Sequence, residues 1–159
     1  NSYEIAQNIS KEHENIKLYK NDKNRGLSYC RNKGIELANG EYILFVDSAD
    51  TIQENVLAQV YGVAKCNELD MLGFKYREIK DDKVLSDGYS NSLANIKMNG
   101  LDYFKKQAEN KSFYVMTWGY LYKSSFLDSN KLCFEEGLLH EDDEFFLKCM
   151  LCSPTIMMI

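Results

Sequence analysis

An apolar segment that ends abruptly in carboxylates constrains this chain more than any other feature. Residues 42–46 carry aromatic or aliphatic side chains without a polar break, and Asp47-Ser48-Ala49-Asp50 follows directly. Because such a segment needs burial on both faces, the pattern predicts a central strand in a mostly parallel sheet that is flanked by helices. Open α/β sheets bind ligands outside the carboxyl ends of their strands, so we expect Asp47 and Asp50 to border a binding crevice.

The same two aspartates also have a purely structural interpretation. The sequence Asp-Thr-Ile-Gln-Glu at 50–54 is typical of a helix start, where an aspartate accepts hydrogen bonds from free backbone N–H groups. On this alternative, Asp47 and Asp50 cap a helix predicted over residues 52–66 and bind no ligand. The segment upstream of the strand makes the ligand site the stronger interpretation.

That upstream segment carries a combination of motifs that ends in the strand itself. Its elements are Asn24, Gly26, Arg31-Asn32, Gly34, Ala38 and Gly40-Glu41-Tyr42, followed by the strand and Asp-Ser-x-Asp. This combination resembles family 2 glycosyltransferases of the GT-A fold, the Rossmann-like α/β fold of nucleotide-diphospho-sugar transferases. The resemblance covers residues 1 to about 60 closely, and it resumes at the Glu-Asp-x-x-Phe segment that begins at Glu141.

The resemblance implies a function and a set of donor-site residues. It implies an inverting transferase that moves a sugar from a nucleotide-diphospho-sugar donor to a saccharide or lipid-linked acceptor, as in bacterial surface polysaccharide synthesis. Arg31 and Asn32 would lie beside the nucleotide. Asp47 would lie near the ribose and sugar, and Asp50 would be a further donor-binding residue. The competing hypothesis is a non-catalytic nucleotide-sugar-binding or scaffold domain descended from such an enzyme.

Position 49 departs from the pattern of the resembled family. Where the family has Asp-Ser-Asp-Asp, this chain has Asp47-Ser48-Ala49-Asp50, and the missing carboxylate is the one that would reach a divalent metal. Asp47 and Asp50 are the remaining metal-ligand candidates for Mn²⁺ or Mg²⁺. Because Mg²⁺ typically takes only one or two carboxylates from a protein, the loss of one predicts a weak site.

A second acidic cluster, at residues 140–144, is the candidate for acid–base chemistry. The resemblance implies that Asp142 is the general base that deprotonates the acceptor hydroxyl, with Asp143 as the neighbouring alternative. Glu141 and Asp143 are acceptor-side candidates. Acidic residues at a helix N-terminus are favoured by the helix dipole whatever else they do, so a capping role is the alternative for the cluster. His140 is predicted to be a surface residue, since lone histidines are rarely ligands, with a contact to the diphosphate as the alternative.

Aromatic residues are concentrated in residues 113–122, and ordinary core packing is the prediction for most of them. Trp118 is the exception, because a ring beside a sugar site can stack on the apolar face of a pyranose. Trp118 is therefore a further acceptor-side candidate.

Periodicity predicts the order of helices and strands. Helices are predicted at 1–12, between Ser28 and Gly40, and at 52–66, 100–109, 124–129 and 141–152; strands at 15–20, 42–46, 69–79, 132–134 and 155–159, with a hairpin turn at 80–83 and a surface loop at 86–100. We expect residues 1–85 to form the nucleotide-sugar-binding part, and residues 86–159 the acceptor-side part, of one GT-A domain.

Composition excludes several classes of partner and site. Nineteen basic against 24 acidic residues give a net charge of −5, which argues against nucleic acid held by phosphate contacts. No apolar run approaches the roughly 20 residues of a membrane span, although association with a membrane surface stays open. Five cysteines at scattered spacing are typical of reduced thiols in a cytoplasmic protein. We therefore expect a cytoplasmic location, with the inner face of the membrane as the site of action on a lipid-linked acceptor. The pair Cys149 and Cys152 lies at a predicted helix end without further ligands, which disfavours zinc or redox chemistry.

The N-terminus lacks motifs with which the resembled family begins. These are a strand with a Pro-x-Tyr-Asn-type motif, a helix, and a strand that ends in Asp-Asp-Gly-Ser-x-Asp. We therefore expect a fragment that lacks a strand-helix-strand unit of roughly 30 to 40 residues.

Overall fold

The computed structural model describes residues 2–81, 83–86, 92–111 and 114–159. Within these ranges the elements in chain order are α1 (Ser2–Glu12), α2 (Leu27–Leu37), β1 (Tyr42–Leu44), α3 (Val56–Cys66), β2 (Met71–Gly73), β3 (Glu78–Lys80), β4 (Lys83–Ser86), α4 (Gly100–Glu109), β5 (Tyr120–Lys123), α5 (Ser124–Ser129), α6 (Glu141–Cys152) and β6 (Ile156–Met158). No helix in the described ranges is long and apolar enough to cross a membrane.

Four of the strands form one sheet in the order β1-β5-β2-β6. β5 pairs antiparallel with both β1 and β2, and β6 pairs parallel with β2. Strands β1, β2 and β6 therefore run in one direction and β5 runs in the opposite direction, so the sheet is mixed. The predicted α/β class is confirmed, and strands from both halves of the chain alternate in this one sheet.

Side chains on successive strand residues point to opposite faces of the sheet and enter two separate cores. Met71, Tyr120 and Tyr122 pack with residues of α4, α5 and α6 on one face. Leu72 and Leu121 pack on the other face with residues of α3. Both faces are thus covered by helices, which explains why the strands are apolar throughout.

β1 lies at the edge of the sheet, although its apolar sequence predicts a central strand. It pairs with β5 on one side, and within the described ranges no strand pairs with its other side. Its three residues are consequently only half-buried, and Val46, which follows the strand, is exposed.

Several predicted elements differ from the observed ones. Residues 15–20 and 132–134 are irregular rather than strands, because no strand in the described part of the chain pairs with either segment. The predicted strand at 69–79 divides into β2 and β3, and the helix predicted to begin at residue 52 begins at Val56. The predicted hairpin is confirmed as β3 and β4, although residue 82 of its turn lies outside the described residues.

The predicted surface loop at 86–100 protects the open edge of β6. Ala94 and Met98 form isolated bridges with Met158 and Ile156, so this segment covers backbone groups that would otherwise be unpaired. Residues 87–91 of the loop lie outside the described residues, as does Phe113 of the aromatic run.

Candidate active site

A single buried arginine joins two parts of the sequence that were predicted to serve different substrates. Arg31 lies in α2, and its side chain is 8% exposed. Its Nη1 donates a hydrogen bond to Oε1 of Glu141 at 2.9 Å, and its Nη2 donates to Oδ1 of Asp47 at 3.2 Å. The turn that contains Asp47 and the first turn of α6 therefore meet at one guanidinium.

Aromatic rings pack against this guanidinium. The guanidinium carbon of Arg31 lies 5.2 Å from the centre of the Phe134 ring, which stacks on Phe145 at 3.8 Å. Phe45, directly after β1, packs edge-on against both rings. Burial of a charge is costly unless it is paired, so the two carboxylates are needed to hold Arg31 in this apolar environment.

Asn32, the neighbour of Arg31, forms two hydrogen bonds with the backbone of Phe134 through its side-chain amide. Its Nδ2 donates to the backbone oxygen of Phe134 at 2.8 Å, and its Oδ1 accepts from the backbone N–H of Phe134 at 2.8 Å. Asn32 therefore pairs with an irregular segment in the way that a neighbouring strand would, and it fixes the ring beneath Arg31.

The predicted pair of aspartates forms the two ends of a tight turn. The backbone N–H of Asp50 donates to the oxygen of Asp47 at 3.0 Å, with Ser48 and Ala49 at the corner. The capping interpretation is wrong, because α3 begins only at Val56. Asp47 contacts Arg31, whereas Asp50 is exposed.

These residues fit a protein-held Mn²⁺ or Mg²⁺ poorly. The carboxylate of Asp47 is paired with Arg31, Ala49 offers no ligand, and Asp50 is the one remaining carboxylate of the turn. Within the described ranges, no three His, Cys, Asp or Glu side chains converge as a metal site would require. The predicted ligand pair is therefore split between an ion pair and an exposed side chain.

The acidic cluster occupies the first turn of α6, as the sequence predicts. Asp142 is partly buried, and within the described ranges its carboxylate has no hydrogen bond or ion pair of its own; Asp143 is exposed. Glu144 pairs with Lys148 one turn along the same helix. His140, at the N-cap position, has a left-handed backbone (φ 59°) and makes no side-chain capping bond. It is exposed, as expected.

The Tyr122 ring packs against Phe145, which follows the acidic cluster in α6. Burial raises the pKa of Tyr122 well above the ordinary value; the nearby Cys149 and Asp142 add to this effect, and the nearby Arg31 opposes it. Its hydroxyl donates to the backbone oxygen of Thr117 at 3.3 Å. Tyr122 therefore remains a neutral hydrogen-bond donor in the core.

A groove of about 970 Å³ adjoins the turn at 47–50. Ala49 and Asp50 line one part of it, and Tyr76 and Trp118 line another. The Trp118 ring is half-buried and contacts the Tyr76 ring edge-on, with centroids 4.8 Å apart. Sequence reasoning missed Tyr76 because it treated residues 69–79 as one strand, whereas the chain leaves the sheet after Gly73. Trp118 and Asp50 thus share one groove, and Arg31, Asp47 and Glu141 form a separate cluster.

Comparisons with known proteins agree with this architecture. The glycosyltransferase YibD of Escherichia coli K12, an uncharacterised protein, is 28% identical over 153 residues, which are 89% of this chain and 42% of YibD. The poly(ribitol-phosphate) β-glucosyltransferase of Bacillus spizizenii is 27% identical over 91% of this chain and 22% of its own length. The crystal structure of Staphylococcus aureus TarS 1–349 with UDP-GlcNAc superposes with a TM-score of 0.75 at 22% identity, over 96% of this chain and 43% of that one.

The superposition confirms the GT-A fold, and the chain spans less than half the length of these relatives. The family model for glycosyl transferase family 2 matches residues 1–128 of the 159. The chain therefore belongs to glycosyl transferase family 2.

Proposed function

We propose that this chain carries the catalytic centre of an inverting glycosyltransferase. The donor is a nucleotide-diphospho-sugar, and the acceptor is a saccharide or a lipid-linked saccharide. Residues 1–85 serve the donor and residues 86–159 serve the acceptor. The relatives that act on a poly(ribitol-phosphate) or contain bound UDP-GlcNAc support a uridine nucleotide donor and a cell-surface polymer as the product class. The reaction takes place in the cytoplasm, at the inner face of the membrane when the acceptor is lipid-linked.

The observation that carries this proposal is the convergence of Asp47, Arg31 and Glu141. A donor-side turn and the helix that bears Asp142 are joined through side chains 16 and 110 residues from Arg31 in sequence. Transfer requires an acceptor base beside the reacting carbon of the donor, since general base catalysis works over hydrogen-bond distances. A scaffold domain would need the two carboxylates only to pair the buried Arg31 charge, whereas a transferase also needs the base of α6 next to the turn that contains Asp47.

The proposed reaction is a single displacement. The carboxylate of Asp142 takes the proton of an acceptor hydroxyl as that oxygen forms its bond to the anomeric carbon. The bond from that carbon to the β-phosphate oxygen breaks, and the nucleoside diphosphate leaves with the electron pair. Asp47 orients the ribose or sugar, with its own orientation set by Arg31. Asp50 contacts the donor from the groove, and Trp118 contacts the acceptor saccharide there, since an aromatic ring can cover the apolar face of a sugar.

Substitution of two neighbouring carboxylates in the full chain tests which of them is the general base. We expect Asp142→Asn to lower kcat for UDP release from UDP-GlcNAc by about 100-fold or more, the usual contribution of a general base. Asp143→Asn, one residue along the same helical turn, is the matched control and should retain most of the activity. If Asp143→Asn is the damaging change, Asp143 is the base. If the unaltered chain binds UDP but transfers no sugar to any saccharide acceptor, the non-catalytic binding domain is the correct function.

Substitutions at position 49 test how strongly the chain binds a divalent metal. We propose that the chain binds Mn²⁺ weakly and that turnover suffers more than donor binding, because one of few carboxylate ligands is missing. Ala49→Asp should raise both Mn²⁺ affinity, measured by calorimetry, and the metal-dependent rate of UDP release. Ala49→Asn, which adds bulk without charge, is the control. Equal Mn²⁺ affinities before and after Ala49→Asp would show that the residue at position 49 does not decide metal binding.

A further inference from the structure

We infer that Arg31 is a positioning residue for the general base: by holding Asp47 and Glu141 at once, it sets the first turn of α6 against the donor-side turn and so fixes where Asp142 meets the acceptor. This inference rests on the proposed transferase function. It assigns Arg31 a task beyond contact with the nucleotide, since its effect on the reaction passes through Glu141.

The geometry of the guanidinium makes such a role possible. Its donors lie in one rigid plane, so two carboxylates bound to its two ends have a fixed separation. Nη1 binds Glu141 and Nη2 binds Asp47, at 2.9 and 3.2 Å, in a side chain that is 8% exposed. Glu141 is 16% exposed, so water competes little for its bond, which is stronger than an exposed ion pair would be; Asp47 is 42% exposed, so its bond is the weaker of the two.

The first turn of α6 has few other side-chain ties. His140 at the N-cap makes no capping bond, and Glu144 pairs with Lys148 within the same helix. Asp142 itself has no hydrogen bond or ion pair to another described residue. Phe145, directly after this turn, is buried in the core and anchors the helix from that side. Because Glu141 directly precedes Asp142, the bond from Arg31 to Glu141 is the polar contact that holds the other end of the turn, from which Asp142 extends.

The consequence for the reaction is large because orientation effects are steep. A displacement of about 1 Å in a reacting group can cost about 100-fold in rate. Loss of Arg31 or of the Glu141 charge would release the first turn of α6 without altering Asp142. The expected signature is therefore a fall in kcat that exceeds the change in donor affinity.

The experiment compares Arg31→Met, Glu141→Gln, their combination and Arg31→Lys in the full chain. Lys33→Met is the matched control, because it removes an exposed ion pair with Glu36 on the same helix. Hydrogen–deuterium exchange of residues 138–146, UDP affinity and kcat for UDP release from UDP-GlcNAc are measured for each. Glu141→Gln keeps the size of the side chain and tests the tie even if Arg31→Met does not fold.

We expect faster exchange at residues 138–146 and a kcat loss of about 100-fold in Glu141→Gln, with UDP affinity changed less than about threefold. The double variant should be no slower than the worse single variant, because both substitutions act on the same charge-assisted bond, which Arg31→Met removes and Glu141→Gln weakens. Arg31→Lys should keep the fold but not kcat, since a lysine cannot hold both carboxylates in one plane. Lys33→Met should match the unaltered chain.

Two outcomes overturn the inference. Exchange at residues 138–146 that is unchanged both in Glu141→Gln, which weakens the bond, and in Arg31→Met, which removes it, would show that the bond does not hold the helix. Effects of Arg31→Met and Glu141→Gln that multiply in the double variant would show that Arg31 acts independently of Glu141. A lack of transfer by the unaltered chain is a different result: it contradicts the proposed function and with it a role in catalysis, while the exchange data still report whether the tie exists.

Discussion

Asn32→Ala provides a quantitative test of how the site is held together. The change removes both hydrogen bonds between the Asn32 amide and the backbone of Phe134, each 2.8 Å long, and leaves a partly buried N–H and C=O without these partners. A hydrogen bond contributes about 0.5–1.5 kcal/mol net, and an unsatisfied buried group costs about 1–3 kcal/mol. We therefore expect the free energy of unfolding to fall by about 3 kcal/mol.

For a chain of this length, about 3 kcal/mol corresponds to a fall of roughly 6–12 °C in Tm, which circular dichroism or calorimetry resolves easily. Asn130→Ala is the matched control, because the side chain that it removes donates a single hydrogen bond, from Nδ2 to the backbone oxygen of Phe126 at 2.9 Å. Its expected loss is below about 1.5 kcal/mol, the contribution of a single hydrogen bond.

Asn32→Asp separates the two bonds, because an aspartate still accepts from the N–H of Phe134 but cannot donate to its oxygen. Its stability should lie between those of the unaltered chain and Asn32→Ala. If Asn32→Ala is no less stable than Asn130→Ala, the amide does not fix Phe134. Its main role would then be the predicted contact with the donor nucleotide.

Two further predictions concern packing and thiol chemistry. A Cβ at Gly100, where α4 meets α6, would lie 1.6 Å from the backbone oxygen of Met150, so Gly100→Ala should destabilise the fold by about 3 kcal/mol or more. A Cβ at Gly34 would have no atom within 4 Å, so Gly34→Ala should stabilise the fold by about 0.5–1 kcal/mol. Equal Tm values for the two variants would contradict this contact. Burial raises the pKa of the Cys149 thiol, so Ellman's reagent at pH 8 should react quickly with the four exposed cysteines and slowly with Cys149 until denaturant is added. Five fast thiols in the folded chain would show that Cys149 is accessible.

Helices with a long periodic pattern could be predicted closely from the sequence. The predicted helices at 100–109 and 141–152 agree with α4 and α6, and residues 124–129 agree with α5. In these segments a local pattern of apolar residues determines both the helix and its buried face. The apolar run at 155–159 likewise becomes β6, because a short run without polar residues needs burial on both faces.

Predictions failed where a strand depends on its neighbours. Residues 15–20 have the alternation of a strand, yet they lie in no sheet, because backbone pairing is not encoded in the segment itself. Residues 132–134 are similar: Leu132 and Phe134 are buried as expected, but a side-chain amide takes the place of a neighbouring strand. Nothing in the local sequence indicates that Asn32 performs this function from 102 residues away.

The candidate site shows the same division between local and distant information. Motifs identified Arg31, Asp47, Glu141 and Asp142 individually, but not the contacts among them. Arg31 and Glu141 are 110 residues apart, and each is equally compatible with an exposed surface position when its own segment is considered alone. Their pairing depends on β5 lying between β1 and β2, since this places the second half of the chain beside the first.

The turn at 47–50 shows how a local error in geometry changes a chemical interpretation. Treated as the end of a strand, Asp47 and Asp50 serve one ligand together. β1 ends at Leu44, however, and the turn that follows gives the two carboxylates different partners: Arg31 for Asp47, and the groove with Trp118 for Asp50. A ligand in the groove would therefore meet the carboxylates of Asp50 and Glu78, the basic side chains of Lys75 and Arg77, and aromatic rings that include Tyr76 and Trp118. This combination suits the hydroxyl groups and apolar face of a sugar better than it suits a bare divalent cation, which requires several oxygen ligands.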